Sequence, residues 1–344
     1  MRNLVTVQTV KEVFPIENAD LIERVRILGW NVVVGKGEFK VGDKVAYFEI
    51  DTLLPETDSR YEKLQKRGQK TIAANGHEVR GHVLSSIKLR GIVSQGLVMN
   101  LAELGFSDAQ IEATSVGEDI SHIAGIFKYE EPVPMNAGII GPFDKNFAPK
   151  SDAIRAQSLS DYWDEIVGLE WVPSVKVDGS SHTIINDKSN IRIFGRNWEL
   201  DLESSGGYII AKNAGIVDVV QENPGMAIQF EYVGPGVQSN RLKLDKNQGI
   251  VFAVFMNGEK VPREDWDERL VKVAAPVLDE SWKPQGTLDE MIEKVSTLRG
   301  SVTKDVLDEG IVYHLASGQE TPYWMGRNAN FKIINNKYLL KHGI

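Results

Sequence analysis

Proline and glycine crowd into residues 126–149, where Pro132, Pro134, Gly138, Gly141, Pro142 and Pro149 fall close together. Proline has no backbone donor and glycine adds chain entropy, so regular structure rarely runs through such a stretch. We read it as a linker or extended crossover. It divides a chain of 344 residues, a length that itself favours two domains, into residues 1–125 and residues 150–344.

The first part is β-rich. Val32-Val33-Val34 and Val45 to Ile50 are strand-like runs, bounded by Gly29, Gly35, Gly37, Gly42-Asp43 and Pro55. Ser86 to Gly91 and Gly96 to Met99 add further strands. Several short strands with glycine turns predict a small barrel. If residues 63–70 are helical, Lys63, Lys66, Arg67 and Lys70 share one face and offer contacts to a phosphate backbone. A solvated basic face is the competing reading. Lys88 and Arg90, set beside Trp30 or Tyr47, would make an RNA platform on a barrel face.

The second part alternates helix and strand signals. Asp152 to Val167 has helical spacing, and Tyr208 to Gln221 is an apolar-periodic helix stopped by Pro224-Gly225. Thr287 and Glu290 form a capping box, and Gly300 a stop, which predicts a helix over 288–299. Val175, 191–194, 227–233, 250–255, 311–314 and 331–334 read as strands.

Composition narrows the function classes. Hydrophobic content of 42% and charged content of 25% are those of a soluble globular protein. No apolar run approaches the ~20 residues of a membrane helix, and the N-terminus lacks a signal-peptide pattern. With no cysteine there is no disulfide, thiolate metal site or cysteine nucleophile. A cytoplasmic location is expected, with no membrane association and no obligate protein partner. A net charge of −9 argues against coating nucleic acid by bulk charge, while leaving room for a local basic groove. No zinc pattern, Walker loop, Rossmann fingerprint or nucleophile elbow is present. His182, His314 and His342 lack ligand spacing and are expected to be structural.

The chemistry concentrates in six ordered segments. These are Lys176-Val177-Asp178-Gly179, Gly195-Arg196-Asn197, 230–234, 251–255, Asp308-Glu309-Gly310 and 331–335. Lys176 ends an apolar approach, Trp171 to Val175. Its amine must lose a proton to attack phosphorus, and partial burial with nearby cations would lower its pKa from about 10.4. A surface lysine in a Lys-Val-Asp-Gly turn is the plainer reading of that segment alone. Arg196 suits a phosphate or ribose contact. Glu231 and Glu309 suit a ribose hydroxyl and a divalent metal respectively. Phe252 suits stacking on a purine, Lys332 a triphosphate contact, and Asp178 a metal or lysine partner or a plain Asp-Gly turn. Each residue has an ordinary structural alternative; chance explains the ordered set poorly.

This order resembles the nucleotidyltransferase motifs of covalent polynucleotide ligases. Lys128 to Pro132, Lys88-Leu89-Arg90-Gly91, Ser94 to Leu97, Lys150-Ser151-Asp152 and Arg155-Ala156-Gln157 extend the likeness to nearly the whole chain. It is similar to the ATP-dependent RNA ligase family typified by the Deinococcus enzyme. Pro15 to Asp20 with Gly42 to Val45 likewise resembles tRNA-binding OB folds. The resemblance implies an α+β chain: an N-terminal OB-like β-barrel, then a nucleotidyltransferase domain of antiparallel sheets with flanking helices. Related DNA ligases and capping enzymes place an OB domain after the last motif, for which the sequence past Tyr338 leaves no room.

By that resemblance, Lys176 is the nucleophile, and Val175, Arg196, Glu231, Phe252 and Lys332 contact the nucleotide. Glu309 and Asp178 serve Mg2+ or Mn2+, and ATP donates AMP. RNA is the expected partner, as a nicked duplex with RNA at the 3′-hydroxyl end. Two positions depart from the family pattern: Ile334 stands where a second lysine is frequent, and Val175 where an acid is frequent. A DNA or mixed-nick ligase, an RNA-binding protein with an inactive catalytic half, and an adenylyltransferase acting elsewhere are the competing functions.

Overall fold

The computed structural model describes residues 3–65, 68–74, 77–130, 138–326 and 328–344. It divides into two compact units. The first comprises Met1–Pro132, Gln157–Asp161 and Leu339–Ile344; the second comprises Val133–Ala156 and Tyr162–Tyr338.

In the first unit a five-stranded sheet runs in the order Leu97–Asn100, Lys44–Phe48, Val5–Pro15, Ile22–Ile27, Trp30–Gly35. The long strand Val5–Pro15 serves two neighbours. Val5 to Thr9 pair with Phe48 to Lys44, and Val10 to Pro15 pair with Ile27 to Glu23. A register shift between Val10 and Glu12 separates the two halves. Such a bulge bends and twists the strand, which is how one strand joins both sides of a curled OB sheet. Val5 and Val7 enter a cluster with Phe48, Leu54 and Tyr61, whereas Val10 enters another with Val25, Trp30 and Tyr47.

This core corrects an expectation. Trp30 and Tyr47 are each 1% exposed and pack against one another, with ring centroids 6.2 Å apart. They fill the barrel and offer no surface platform. Lys88 lies instead in a separate two-stranded hairpin, Ile87–Leu89 with Ile92–Ser94, and Arg90 in its turn. Lys63 and Lys70 share no helix face either: Lys63 lies near the end of a short 3-10 helix, Ser59–Leu64, and Lys70 belongs to the strand Gln69–Ala74. Lys63 and Lys70 are exposed; Lys66 and Arg67 lie outside the described residues.

The second unit holds two sheets among its described residues. Seven strands run Ile139–Pro142, Trp198–Leu200, Ile191–Phe194, Ser180–Asn186, Met226–Val233, Gln248–Met256, Glu259–Lys260. Four run Ile154–Arg155, Asn330–Ile334, Gly310–Leu315, Trp171–Lys176. Part of the expected linker is therefore an edge strand, because Pro142 sits at a sheet margin where its missing donor costs no ladder bond. One face of the larger sheet is covered by the helices Gly206–Asn213 and Ile216–Glu222 through Ile184, Ile193, Ile228, Phe230 and Val254. The apolar periodicity of 208–221 predicts one helix here. Gly215, at φ 72°, breaks it, because that left-handed step ends one helix and opens the next.

The capping box at Thr287 and Glu290 is present, and the helix Leu288–Val295 stops at Ser296, short of Gly300. Asp152 to Val167 is helical only at its end. Ile154–Arg155 is a strand parallel to Phe331-Lys332, followed by a 3-10 turn and the helix Trp163–Val167. Cross-strand pairing overrides the local periodicity there.

Candidate active site

Lys176 is the last residue of the strand Trp171–Lys176. Val175 and Val177 on either side are buried with Val233, Leu242 and Ile250. Because side chains alternate across a strand, burying both valines directs Lys176 the other way. Its strand pairs with Gly310–Leu315, with Lys176 opposite Gly310. That register brings Glu309 alongside, and its Oε2 accepts from Lys176 Nζ at 2.7 Å.

The electrostatics run against the sequence expectation. Burial pushes the Lys176 amine down, but the carboxylates of Glu309, Glu231 and Asp178 outweigh burial and hold its pKa above the ordinary value. The ligand-free lysine is a charged partner of Glu309, not a poised neutral amine. Burial raises Glu309, opposed by Lys176. Burial likewise raises Glu231 to about 8, again opposed by Lys176. Lys332 moves the other way. Burial, then the charges of Lys176 and Arg155, lower it to about 7.

Two strands deliver these groups. Glu231 lies in Met226–Val233, opposite Ser181 and Ile250. Lys332 lies in Asn330–Ile334, between Val312 on one side and Arg155 on the other. Arg196 pairs with Asp152 and acts electrostatically on both Glu231 and Lys332. Phe252 is the unpaired residue of a bulge: Val251 faces Phe230 and Ala253 faces the adjacent Gln229. Bulges re-aim a side chain, and Phe252 is left partly exposed between two apolar clusters.

Glycines in two of the motifs have steric causes. A Cβ on Gly179 would lie 2.5 Å from the Tyr232 carbonyl oxygen, and one on Gly310 would lie 2.2 Å from that of Ile333. Each lets backbone approach where no side chain fits. Asn335 fastens the same region: its N–H donates to Glu309 O at 2.8 Å and its side-chain amide to Asp308 O at 3.0 Å.

The structure thus gathers Lys176, Asp178, Arg196, Glu231, Glu309 and Lys332 into one electrostatic cluster. Val175 is buried, its N–H bonded to Pro276 O at 2.9 Å. Ile334 is 2% exposed opposite Gly310, so the departure from a second lysine has an apolar setting. His182 is buried and bonded to Ser180 O, a structural role. Sequence reasoning missed Arg241, which grips Asp178, and Lys260. Lys260 Nζ reaches His314 Nδ1 at 3.1 Å and Asn328 O at 3.0 Å, tying one sheet's edge to the other sheet. Neither position carries a local signal, since each acts on residues more than fifty positions away.

Among the described residues, no three His, Asp or Glu side chains converge as a metal cage, and no helix is long and apolar enough to cross a membrane. Two flanking carboxylates, Asp178 and Glu309, do suit a hard divalent cation of the kind that is completed by phosphate and water oxygens.

A family model for OB-fold domains matches residues 4–101, and one for RNA ligase matches residues 169–333. No curated protein sequence matches. Among solved structures, a Naegleria gruberi RNA ligase variant with AMP and manganese is 30% identical, covers 99% of each chain and superposes with TM-score 0.84. A variant with ATP and manganese is 30% identical, covering 99% of this chain and 98% of that one, at TM-score 0.82. The same ligase with pyrophosphate is 30% identical, covering 100% and 99%, at TM-score 0.83. With both halves matched, and likeness across the full length of a solved ligase, this chain belongs to the RNA ligase family of enzymes, with an OB-fold domain ahead of its ligase domain.

Proposed function

We propose that the chain is an ATP-dependent RNA ligase of the Deinococcus type, sealing 3′-hydroxyl and 5′-phosphate ends at nicks whose 3′-hydroxyl strand is RNA. The observation that carries this reading is the Lys176–Glu309 contact of 2.7 Å inside a cluster that also holds Asp178, Glu231, Arg196 and Lys332. The Naegleria structures with ATP or AMP and manganese support the choice of nucleotide and metal.

Phosphoryl transfer needs positioning and charge neutralisation more than covalent help. Lys176 must first give up to water the proton that its contact with Glu309 retains. The freed Nζ attacks the ATP α-phosphorus; the N–P bond forms and the bond to pyrophosphate breaks. An RNA 5′-phosphate oxygen then attacks the same phosphorus, the N–P bond breaks, and Lys176 recovers its proton. Finally a 3′-hydroxyl attacks the activated 5′-phosphate, the phosphodiester bond forms, AMP leaves and the hydroxyl proton passes to water. Lys332 and Arg196 balance phosphate charge, Glu231 holds the ribose, Phe252 stacks on adenine, and Val175 lines the nucleotide site. A divalent cation held by Glu309 and Asp178 would neutralise phosphate oxygens.

We assign residues 1–125 to RNA engagement, with Lys63, Lys70, Lys88 and Arg90 as backbone contacts, and residues 150–344 to chemistry. The test is α-labelled ATP with Mn2+ or Mg2+, followed by denaturing electrophoresis of wild type and Lys176→Ala. Label on the wild type alone supports the reading. No label on folded, AMP-free wild type with either metal overturns it. Replacing the 3′-terminal ribonucleotide of a nick by a deoxyribonucleotide separates RNA from DNA or mixed-nick sealing.

A further inference from the structure

The loop 234–244 holds its backbone in an unusual state. Gln238, Ser239, Asn240 and Lys243 have φ of 40°, 62°, 45° and 55°. Left-handed backbone is uncommon for non-glycine residues, and four within six positions is a conformation that surrounding contacts must maintain. Asn240 supplies one such contact, accepting from Leu244 N–H at 3.0 Å and donating to Leu244 O at 2.9 Å. Leu242 supplies another by packing with Val175 and Val177, the neighbours of Lys176. Between these anchors stands Arg241. Its Nη1 donates to both Oδ1 and Oδ2 of Asp178, each at 3.2 Å, and the two side chains are only 14% and 8% exposed. Tyr338 adjoins the pair from the C-terminal helix, its hydroxyl held above the ordinary range by burial and by Asp178.

The charge pattern gives the contact a purpose. Asp178, Glu231 and Glu309 surround a single Lys176 amine. Lys176 is taken up by Glu309, and the cation in direct contact with Asp178 is Arg241. A divalent ion drawn to the same carboxylate would meet the guanidinium as a like charge.

We propose that Arg241 is an internal cation that occupies Asp178 in the ligand-free protein and competes there with the divalent metal, thereby setting the metal concentration at which the site loads. This rests on the ligase reading above, in which Asp178 serves the metal. Arg241 is a positioning residue: it acts through Asp178 and touches neither nucleotide nor RNA in this role.

The experiment is Mn2+ binding to the AMP-free protein, read from loss of the free-ion electron paramagnetic resonance signal. Circular dichroism melts of every variant check folding. Arg241→Gln should bind Mn2+ about fivefold or more tightly than wild type, a coupling of ordinary size between two sites. Adding Asp178→Asn should erase that gain. Arg241→Lys keeps a charge but loses the two-oxygen contact and should fall between. Unchanged or weaker Mn2+ affinity in folded Arg241→Gln overturns the proposal; if that variant does not fold, the same result in Arg241→Lys overturns it. Lysine labelling in the same preparations separates the two ideas. Labelling with unaltered Mn2+ affinity sinks only the role of Arg241, whereas absent labelling in wild type sinks the ligase reading.

Discussion

Lys176 and Glu309 meet at 2.7 Å because Lys176 lies opposite Gly310 in an antiparallel pair of strands, and Glu309 immediately precedes Gly310. The contact keeps the amine protonated until something displaces or protonates the carboxylate. Labelling of Lys176 should therefore speed up as pH rises, by about tenfold per unit well below its pKa. Glu309→Gln removes the opposing charge, so the midpoint of the pH–rate profile should move down. Maximal rate will fall as well if Glu309 serves the metal, and so the midpoint is the quantity to measure. A midpoint that stays put or rises would show that another group controls the amine.

Glu231 tests the cost of burying a carboxylate. Its folded pKa is raised to about 8, against about 4.3 in an unfolded chain. Between those values the native state binds more protons, so its contribution to stability falls as pH rises and stays low above pH 8. Glu231→Gln never ionises. Its melting temperature relative to wild type should climb between pH 5 and pH 8, while AMP transfer suffers. A difference that does not vary with pH would refute burial as the cause.

Gly179 tests the close approach of the lysine motif to the next strand. Gly179→Ala puts a methyl 2.5 Å from the Tyr232 carbonyl oxygen. Relief of that overlap should cost about 1–3 kcal/mol in denaturant unfolding and displace Asp178. Wild-type stability and labelling in this variant would mean that the turn relaxes freely.

Ile334 tests the departure in the last motif. It is 2% exposed opposite Gly310. Ile334→Lys should lose about 3 kcal/mol of stability through an unpaired buried charge and should not improve sealing. A gain of orders of magnitude in nick sealing would show that the missing lysine limits this enzyme.

The six segments were legible because phosphoryl transfer demands particular functional groups, and two of those groups, Lys176 and Glu309, sit near glycines that no side chain can replace. Gly179 and Gly310 announce themselves in sequence for that reason. The capping box at Thr287 and Glu290 was legible too, since a cap is satisfied within one turn. Trp30 and Tyr47 were misread as a surface, because an aromatic in a strand looks the same on either face until the sheet curls around it. Lys63 and Lys70 had helical spacing, but Lys70 pairs with Gly81 in a hairpin.

The sequence alone thus determined the division into a β-rich half and an alternating half, the nucleophile candidate, and the carboxylates and cations that accompany it. Tertiary structure alone decided which of these meet and in what charge state. The Lys176 pKa is the balance of burial against the nearby Asp178 and two carboxylates, Glu231 and Glu309, brought from distant segments, and the grip of Arg241 on Asp178 spans 63 positions. Local sequence encodes turns, caps and strand faces through short-range sterics. Pairing register and electrostatic neighbourhood depend on long-range packing, which no local window contains.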